Sequence, residues 1–461
     1  MHRIIAAVLA AASLAEGAAA QTAAPPGLPA TATPQSTGAF SLDSALTAGG
    51  VGNPVVPPSS SRLPGAPIGA SPGGVTSGTT GPTGLPSVAA AAASVDAATA
   101  ARRVAGLRPN PELQAQVENI AGTGVYKGLK SSETTVGVAL PLELGGKRPA
   151  RVALATARLT RAQIQAEIAR ADLRLRITQL YIEAAAAERR SEVLAEQAGI
   201  ASNAFRVSRE RVTAGDVGPI EQQRAEVLRI NAEVAAESAA RQAQAARINL
   251  STLLSAPITG PLDRGWFERI DSYGPPRPIE VETTLTLAAA EADVRTAGAS
   301  VRVARSLRTP DLTISTFARR LQATNDTAAV VGISIPIPIF NNGSALVAQT
   351  RSEETVAIAQ RNLAVLDTRQ AIASAQAEVA NAAATARAAG GPGLAAAQEA
   401  ARIARVGYSA GKFDQIALLD AERTLSQTRQ TYVDALAAYH DAQARLDRLT
   451  TPAPVIPGDN R

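Results

Sequence analysis

Side chains suited to covalent or metal chemistry are scarce in this sequence. It has no cysteine and two histidines, so thiolate nucleophiles, disulfides, iron–sulfur clusters and thiolate-held metals are excluded. His2 lies in the N-terminal leader, which leaves His440 alone on a helical stretch, and a lone helical histidine is more often structural than a ligand. No Gly-x-Ser-x-Gly elbow is present. Gly390-Gly391-Pro392-Gly393 lacks the Lys and Ser/Thr that follow the glycines of a phosphate loop, and instead predicts a kink in a long helix. Charge offers no alternative site. The net +5 is spread along the chain without a basic block interleaved with aromatics, which argues against nucleic-acid binding. These residues predict a protein without catalytic residues, cofactor or metal site.

The elements that would carry any other function are long and thin. Hydrophobic residues make up 46% of the 461, but much of that is alanine, and aromatics are only 3%. Alanine buries little area and lets helices approach closely, so the composition favours extended helical packing over a thick globular core. Residues 1–20 read as an export signal, with His2-Arg3, an apolar run from Ile4 to Leu14 and Ala18-Ala19-Ala20 before the cleavage point. No later run approaches the roughly 18 apolar residues of a membrane helix. A membrane location would therefore have to use strands. Lipidation at an N-terminal cysteine is excluded.

Residues 21–86 are rich in Pro, Gly, Ser and Thr and predict a flexible segment, with one short helix near 40–48. Residues 87–257 then read as helix, two strands, long helix, tip and return helix. Leu113, Ala115 and Val117 alternate with Gln114, Gln116 and Glu118, and a second alternating run holds Val136, Val138 and Leu140. Strands of about nine residues are long enough to cross an outer membrane when tilted. After Pro149 no proline appears until Pro219. Val152, Ala155, Leu159, Ala162, Ala166, Ala169, Leu173 and Leu180 form a heptad seam on a rod of roughly 100 Å. Thr213-Ala214-Gly215 followed by Pro219 punctuates a helical hairpin.

Residues 258–281 connect to a second copy of this pattern over 282–451, and 452–461 form a tail. Val136 to Leu142 lines up with Val331 to Ile337 at an offset of 195, and Thr213-Ala214-Gly215 with Ser409-Ala410-Gly411 at 196. Ile220, Ala225 and Glu226 recur as Ile416, Ala421 and Glu422. The seam returns as Val356, Ala359, Leu363, Leu366, Ala373, Ala377, Ala380 and Ala384. In the fourth strand Val331, Ile333, Ile335, Ile337 and Ile339 are expected to face lipid. Four strands cannot close a barrel, whereas three chains would supply twelve and remove every edge. The fold class is therefore mainly α with membrane β: a duplicated strand-pair and long helical-hairpin module that three copies would close into a trimeric 12-stranded barrel. A periplasmic adaptor would show one hairpin rather than two, and a structural coiled coil would need no strand pairs.

The chain resembles the TolC-like outer-membrane efflux family, and within it the CzcC-like branch linked to cation efflux. The resemblance rests on Phe40 to Leu46, on Pro141-Leu142-Glu143-Leu144-Gly145-Gly146-Lys147-Arg148, and on Gly407-Tyr408-Ser409-Ala410-Gly411 with Leu418-Leu419-Asp420-Ala421. It covers residues 39 to 450, apart from the Gly/Pro-rich insertion at 49–86; the scarcity of aromatics also departs from the usual girdled barrel. The resemblance implies a homotrimer in outer-membrane lipid whose tunnel extends into the periplasm. There it would dock a periplasmic adaptor and an inner-membrane transporter of the resistance-nodulation-division (RND) type, as a passive exit duct with heavy-metal cations among its cargo. By the same resemblance Tyr408 matches a gate tyrosine, Glu221 an acidic gate partner that could accept the Tyr408 hydroxyl proton in a hydrogen bond, and Asp420 the second of two acidic ring positions. The first of those positions is Ala417 here. The adaptor-docking tips would use Arg211, Val212, Gly215, Val217, Gly411 and Phe413.

Overall fold

The computed structural model describes residues 39–52, 85–270 and 279–454. The expected export signal, most of the Pro/Gly-rich segment and most of the C-terminal tail lie outside the described residues. The element order is α1 (Leu42–Ala48), α2 (Pro86–Ala105), β1 (Glu112–Glu118), β2 (Glu133–Leu142), α3 (Lys147–Ala214), α4 (Pro219–Leu254) and α5 (Arg264–Phe267). It continues with α6 (Leu285–Ser306), β3 (Leu312–Leu321), β4 (Asp326–Ser334), α7 (Ser344–Ala388), α8 (Leu394–Ser409) and α9 (Gln415–Leu449).

The 68 residues of α3 make a rod of about 100 Å. Its predicted seam packs inward, with Leu159, Ala166, Leu173 and Leu180 all buried. α2, α4, α6 and α9 lie against it. A row of polar contacts ties α3 to antiparallel α9 along most of its length. Arg448 donates to Asp172 (2.5 Å), Gln179 to Asp441 (2.9 Å), Arg190 to Asp434 (2.8 Å) and Arg429 to Glu196 (2.6 Å). The second long helix is interrupted as the Gly/Pro cluster suggested: Ala389–Gly393 form one π turn around Pro392 between α7 and α8. The proline removes a backbone donor, and the wider turn absorbs the loss.

Where the two hairpins meet the connecting segment, the core is aromatic. The Tyr181 hydroxyl donates to the Phe40 carbonyl (2.7 Å) and accepts from the Asp263 N–H (3.0 Å), pinning the segment before α1 beside the entry to α5. Burial pushes this phenol's pKa up to about 12. His440 is buried here, its Nε2 2.8 Å from the Phe267 carbonyl and its ring stacked on Trp266 at 4.3 Å. It packs as a structural residue.

The four strands form one antiparallel sheet in the order β1-β2-β3-β4. The register puts Leu113, Val138, Thr316 and Val331 in one row, with Val136 and Ala115, and Ile314 and Ile333, paired on the same face. The opposite face carries Gln114, Gln116, Thr135, Ser315 and Arg319. Arg319 contacts Glu133 at 3.1 Å and Glu118 at 3.5 Å. One face is mainly apolar and exposed, the other mainly polar, and among the described residues β1 and β4 are unpaired edges.

Two expectations need correction. β4 stops at Ser334, so Ile335, Ile337 and Ile339 are exposed but not part of a strand. The partner strand β3 has only Leu312 left beyond the Thr313–Ser334 pair, and Pro336 and Pro338 cannot donate to a ladder. The predicted seam of the second long helix also does not pack within the chain. Leu363 and Leu366 are 56% and 62% exposed, while α7 buries Thr368, Ile372, Ala375, Ala383 and Ala386 on another face. No helix among the described residues is long and apolar enough to cross a membrane.

Candidate functional site at the paired helical tips

The two hairpins turn at similar tips because the same residue types recur. Gly215 ends α3 at φ +83° and its N–H donates to the Val212 carbonyl (3.1 Å); Gly411 follows α8 at φ +68°. A Cβ at either glycine would meet nothing within 4 Å, so the left-handed backbone is the reason for glycine at these positions. Pro219 occupies the first turn of α4, and Asp414 caps α9 by accepting from the Ala417 N–H (2.8 Å).

The predicted hydrogen bond between Tyr408 and Glu221 is not formed. The Tyr408 hydroxyl instead accepts from Arg211 (3.4 Å), whose guanidinium also lies 5.6 Å from the centre of the tyrosine ring. That hydrogen bond, with the negative charges of Glu221 and Asp216 nearby, holds the Arg211 pKa above its usual value. The Glu221 Oε2 is buried without a hydrogen-bond partner among the described residues. The tyrosine's partner is thus an arginine from the last turn of α3 rather than the carboxylate from the first turn of α4. The contact is long and only partly buried, so its net worth is below about 1 kcal/mol per chain. One turn away, Gln415 donates to Ser208 at 2.5 Å in a buried contact between the same two hairpins.

The remaining predicted residues divide between surface and packing. Gly215 and Gly411 are exposed, whereas Arg211, Val212 and Val217 are partly covered. Phe413 is 44% exposed, and its ring lies across Gly407, where a Cβ would sit 2.1 Å from the ring. Gly407 is thus required by close approach, and half of the phenylalanine is already used within the chain. Asp420 is exposed on the wall of a groove of about 770 Å³ between α3, α4 and α9, together with Gln223, Asn231, Arg423 and Gln427. Among the described residues no cluster of His, Asp or Glu has a geometry that could hold a metal.

The chain matches the family described as outer membrane efflux protein over residues 84–256 and again over 281–451. It is 32% identical over 371 residues to the cobalt-zinc-cadmium resistance protein CzcC of Cupriavidus metallidurans, covering 78% of this chain and 86% of that one. The nickel and cobalt resistance protein CnrC of the same organism is 30% identical over 56% of this chain and 61% of its own length. Among solved structures, the outer membrane protein VceC of Vibrio cholerae superposes with a TM-score of 0.65 at 19% identity, over 81% of this chain and 94% of that one.

The chain belongs to the outer membrane efflux protein family.

As an outer-membrane efflux channel it is not an enzyme, a periplasmic adaptor or a purely structural coiled coil, and its helices extend into the periplasm. The efflux protein fastens its second tip more tightly than sequence reasoning suggested. Glu422, 1% exposed, takes both arms of the Arg405 guanidinium, one at 2.9 Å, closing α8 onto α9. This hydrogen bond raises the Arg405 pKa. The repeat contained the clue, since Arg209 and Glu226 stand 196 residues before the pair. Removing the arginine would leave a buried carboxylate uncompensated. Arg405→Gln is expected to cost about 2–3 kcal/mol, less than for a fully buried pair because the arginine is half exposed. Glu422→Gln should cost less than that. Thermal unfolding of the detergent-purified efflux protein checks both, and unchanged melting in Arg405→Gln contradicts the assignment.

Proposed function

We propose that three copies of this channel close a 12-stranded barrel in the outer membrane, and that the duct opens at the helical tips onto a periplasmic adaptor and an RND-type inner-membrane transporter. The observation that carries the reading is the sheet, with one mainly apolar exposed face, one mainly polar face and two edges unpaired among the described residues. Exposed edges are not tolerated in hydrocarbon, and closure by further copies is the way to remove them. The unpacked seam of α7 supports the same association. The cargo is divalent metal cations, by likeness to the cobalt-zinc-cadmium and nickel-cobalt resistance proteins. Substrate passes without chemistry.

In this reading the tips have two tasks. Gly215 and Gly411, with the surface around Val217 and Phe413, dock the adaptor. Arg211 and Tyr408 hold the two hairpins together in the closed state, biased by Glu221. Asp420, repeated by symmetry, draws cations toward the narrow end.

The gate is tested in planar bilayers. Tyr408→Phe and Arg211→Gln should each raise single-channel conductance, and the double variant should gain no more than the larger single change because both remove one interaction. Asp420→Asn should weaken block by divalent cations. Wild-type conductance in all three gate variants refutes the latch.

Cargo and docking are tested together in the source strain lacking the channel. Wild-type protein should restore tolerance to cobalt, zinc and cadmium. Gly215→Arg or Gly411→Arg should not, while still assembling, because bulk and strain at the tip block the contact. Full tolerance with both variants would remove the tips from docking.

A further inference from the structure

All four strand–helix junctions lie at one end of the sheet, as the register requires: β1 begins at Glu112 opposite Ala139, β2 ends at Leu142 opposite Leu312, and Thr313 pairs with Ser334. Contacts lock them at one level. Lys147 at the start of α3 pairs with Asp311 before β3 (2.8 Å), Arg151 donates to the Leu107 carbonyl after α2 (3.3 Å), and Arg308 after α6 donates to the Asn342 carbonyl before α7 (3.3 Å).

Two kinds of side chain accumulate at this level. Leu107, Leu144, Leu307 and Phe340 are exposed, the last completely. Each lies within six residues of a strand end on the helix side of the sheet. Beside them stand Arg102, Arg103, Arg108, Arg148, Arg302 and Arg305, all exposed and none in an ion pair among the described residues. The junction carboxylates Glu143 and Asp311 are already taken by Arg151 and Lys147. Arg302 and Arg305 flank a cleft of about 430 Å³ whose other wall is the first turn of α3. Elsewhere on the long helices arginines are mostly matched by nearby carboxylates, as in Arg206–Glu210, Arg229–Glu233 and Arg402–Glu399.

A ring of exposed leucine and phenylalanine with unmatched arginines on its helix side has the chemistry of a bilayer interface: acyl chains against the apolar residues, anionic headgroups against the guanidiniums. We infer that this belt binds anionic glycerophospholipid of the leaflet nearest the helices, and so sets how deep the sheet sits. The inference rests on the reading that the sheet lies in a membrane. Its occupant is argued from charge, because a zwitterionic lipid would leave the arginines unmatched.

The test uses the full chain purified in detergent and offered equal amounts of phosphatidylglycerol and phosphatidylcholine, with retained lipid read by native mass spectrometry. Wild type should prefer phosphatidylglycerol about ten-fold, given the strength of a few basic residues at an anionic surface. Arg102→Gln, Arg103→Gln, Arg302→Gln and Arg305→Gln combined should abolish the preference. The same four positions changed to lysine should keep most of it, and Arg209→Gln with Arg224→Gln near the tips should leave it unchanged. Equal retention of the two lipids by wild type, or an undiminished preference in the four-fold glutamine variant, overturns the inference. Flotation of wild type with outer-membrane vesicles is scored separately. Failure there overturns the membrane reading, whereas flotation without lipid preference overturns the belt alone.

Discussion

The unpaired backbone of β1 and β4 is the constraint on which the rest of this molecule depends. Among the described residues the sheet has four strands, and its outer two each present a row of N–H and C=O groups with no partner. In water such edges are a hazard; in hydrocarbon each unsatisfied group costs several kcal/mol. The row of Leu113, Val138, Thr316 and Val331 faces outward and the Gln114, Gln116 and Arg319 side faces inward, which is the polarity of a barrel wall around a wet lumen. In the proposed assembly the chain is one sector of a larger closed object, and its helices continue that sector.

The helices divide into surfaces finished within the chain and surfaces left open. α3 is finished: its seam is buried, and Asp172, Gln179, Arg190 and Glu196 fasten it to α9. Individually such half-exposed contacts contribute little, but in series they fix the register of two rods sliding past each other. α7 and α4 are open. Leu363 and Leu366 on one and Val227 and Val234 on the other are exposed at helical spacing. In the proposed assembly these stripes pack against neighbouring copies. At the tips the intrachain fastening thins to Ser208–Gln415 and the long contact between Arg211 and Tyr408, so the hairpins are least tightly joined where a duct would need to open.

Local signals in the sequence were sufficient for the local structure. Alternation at Leu113–Val117, the proline-free run after Pro149, the glycines at 215 and 411 and the repeat offset near 195 all correspond to features of the fold. What could not be read from one strand or one helix depended on a neighbour. Ile335, Ile337 and Ile339 carry the alternation of a strand, but β3 has only Leu312 left beyond the Thr313–Ser334 pair and prolines intervene, so the pattern outlasts the ladder. The α7 seam has a sound period, and only the fold reveals that its partner is not in the chain. The family resemblance pairs Tyr408 with Glu221. The tyrosine's partner in the fold is Arg211 of α3, nearly 200 residues away, a pairing that no local pattern marks. The Arg405–Glu422 bridge was partly legible, since the repeat had already marked Glu422.

The central claim is that β1 of one copy pairs with β4 of the next. The chain has no cysteine, so engineered thiols report this pairing without background. Cysteines placed in turn at Ala115 or Val117 on β1 and at Ala329 or Val331 on β4 should, for the pair in register, lie within disulfide reach across the seam. Mild oxidation in membranes should then convert the protein into a covalent trimer on denaturing gels, released by reductant. A chain that stays monomeric for every pair, while the same oxidation links Val138→Cys to Thr316→Cys within the sheet, would contradict the closed barrel.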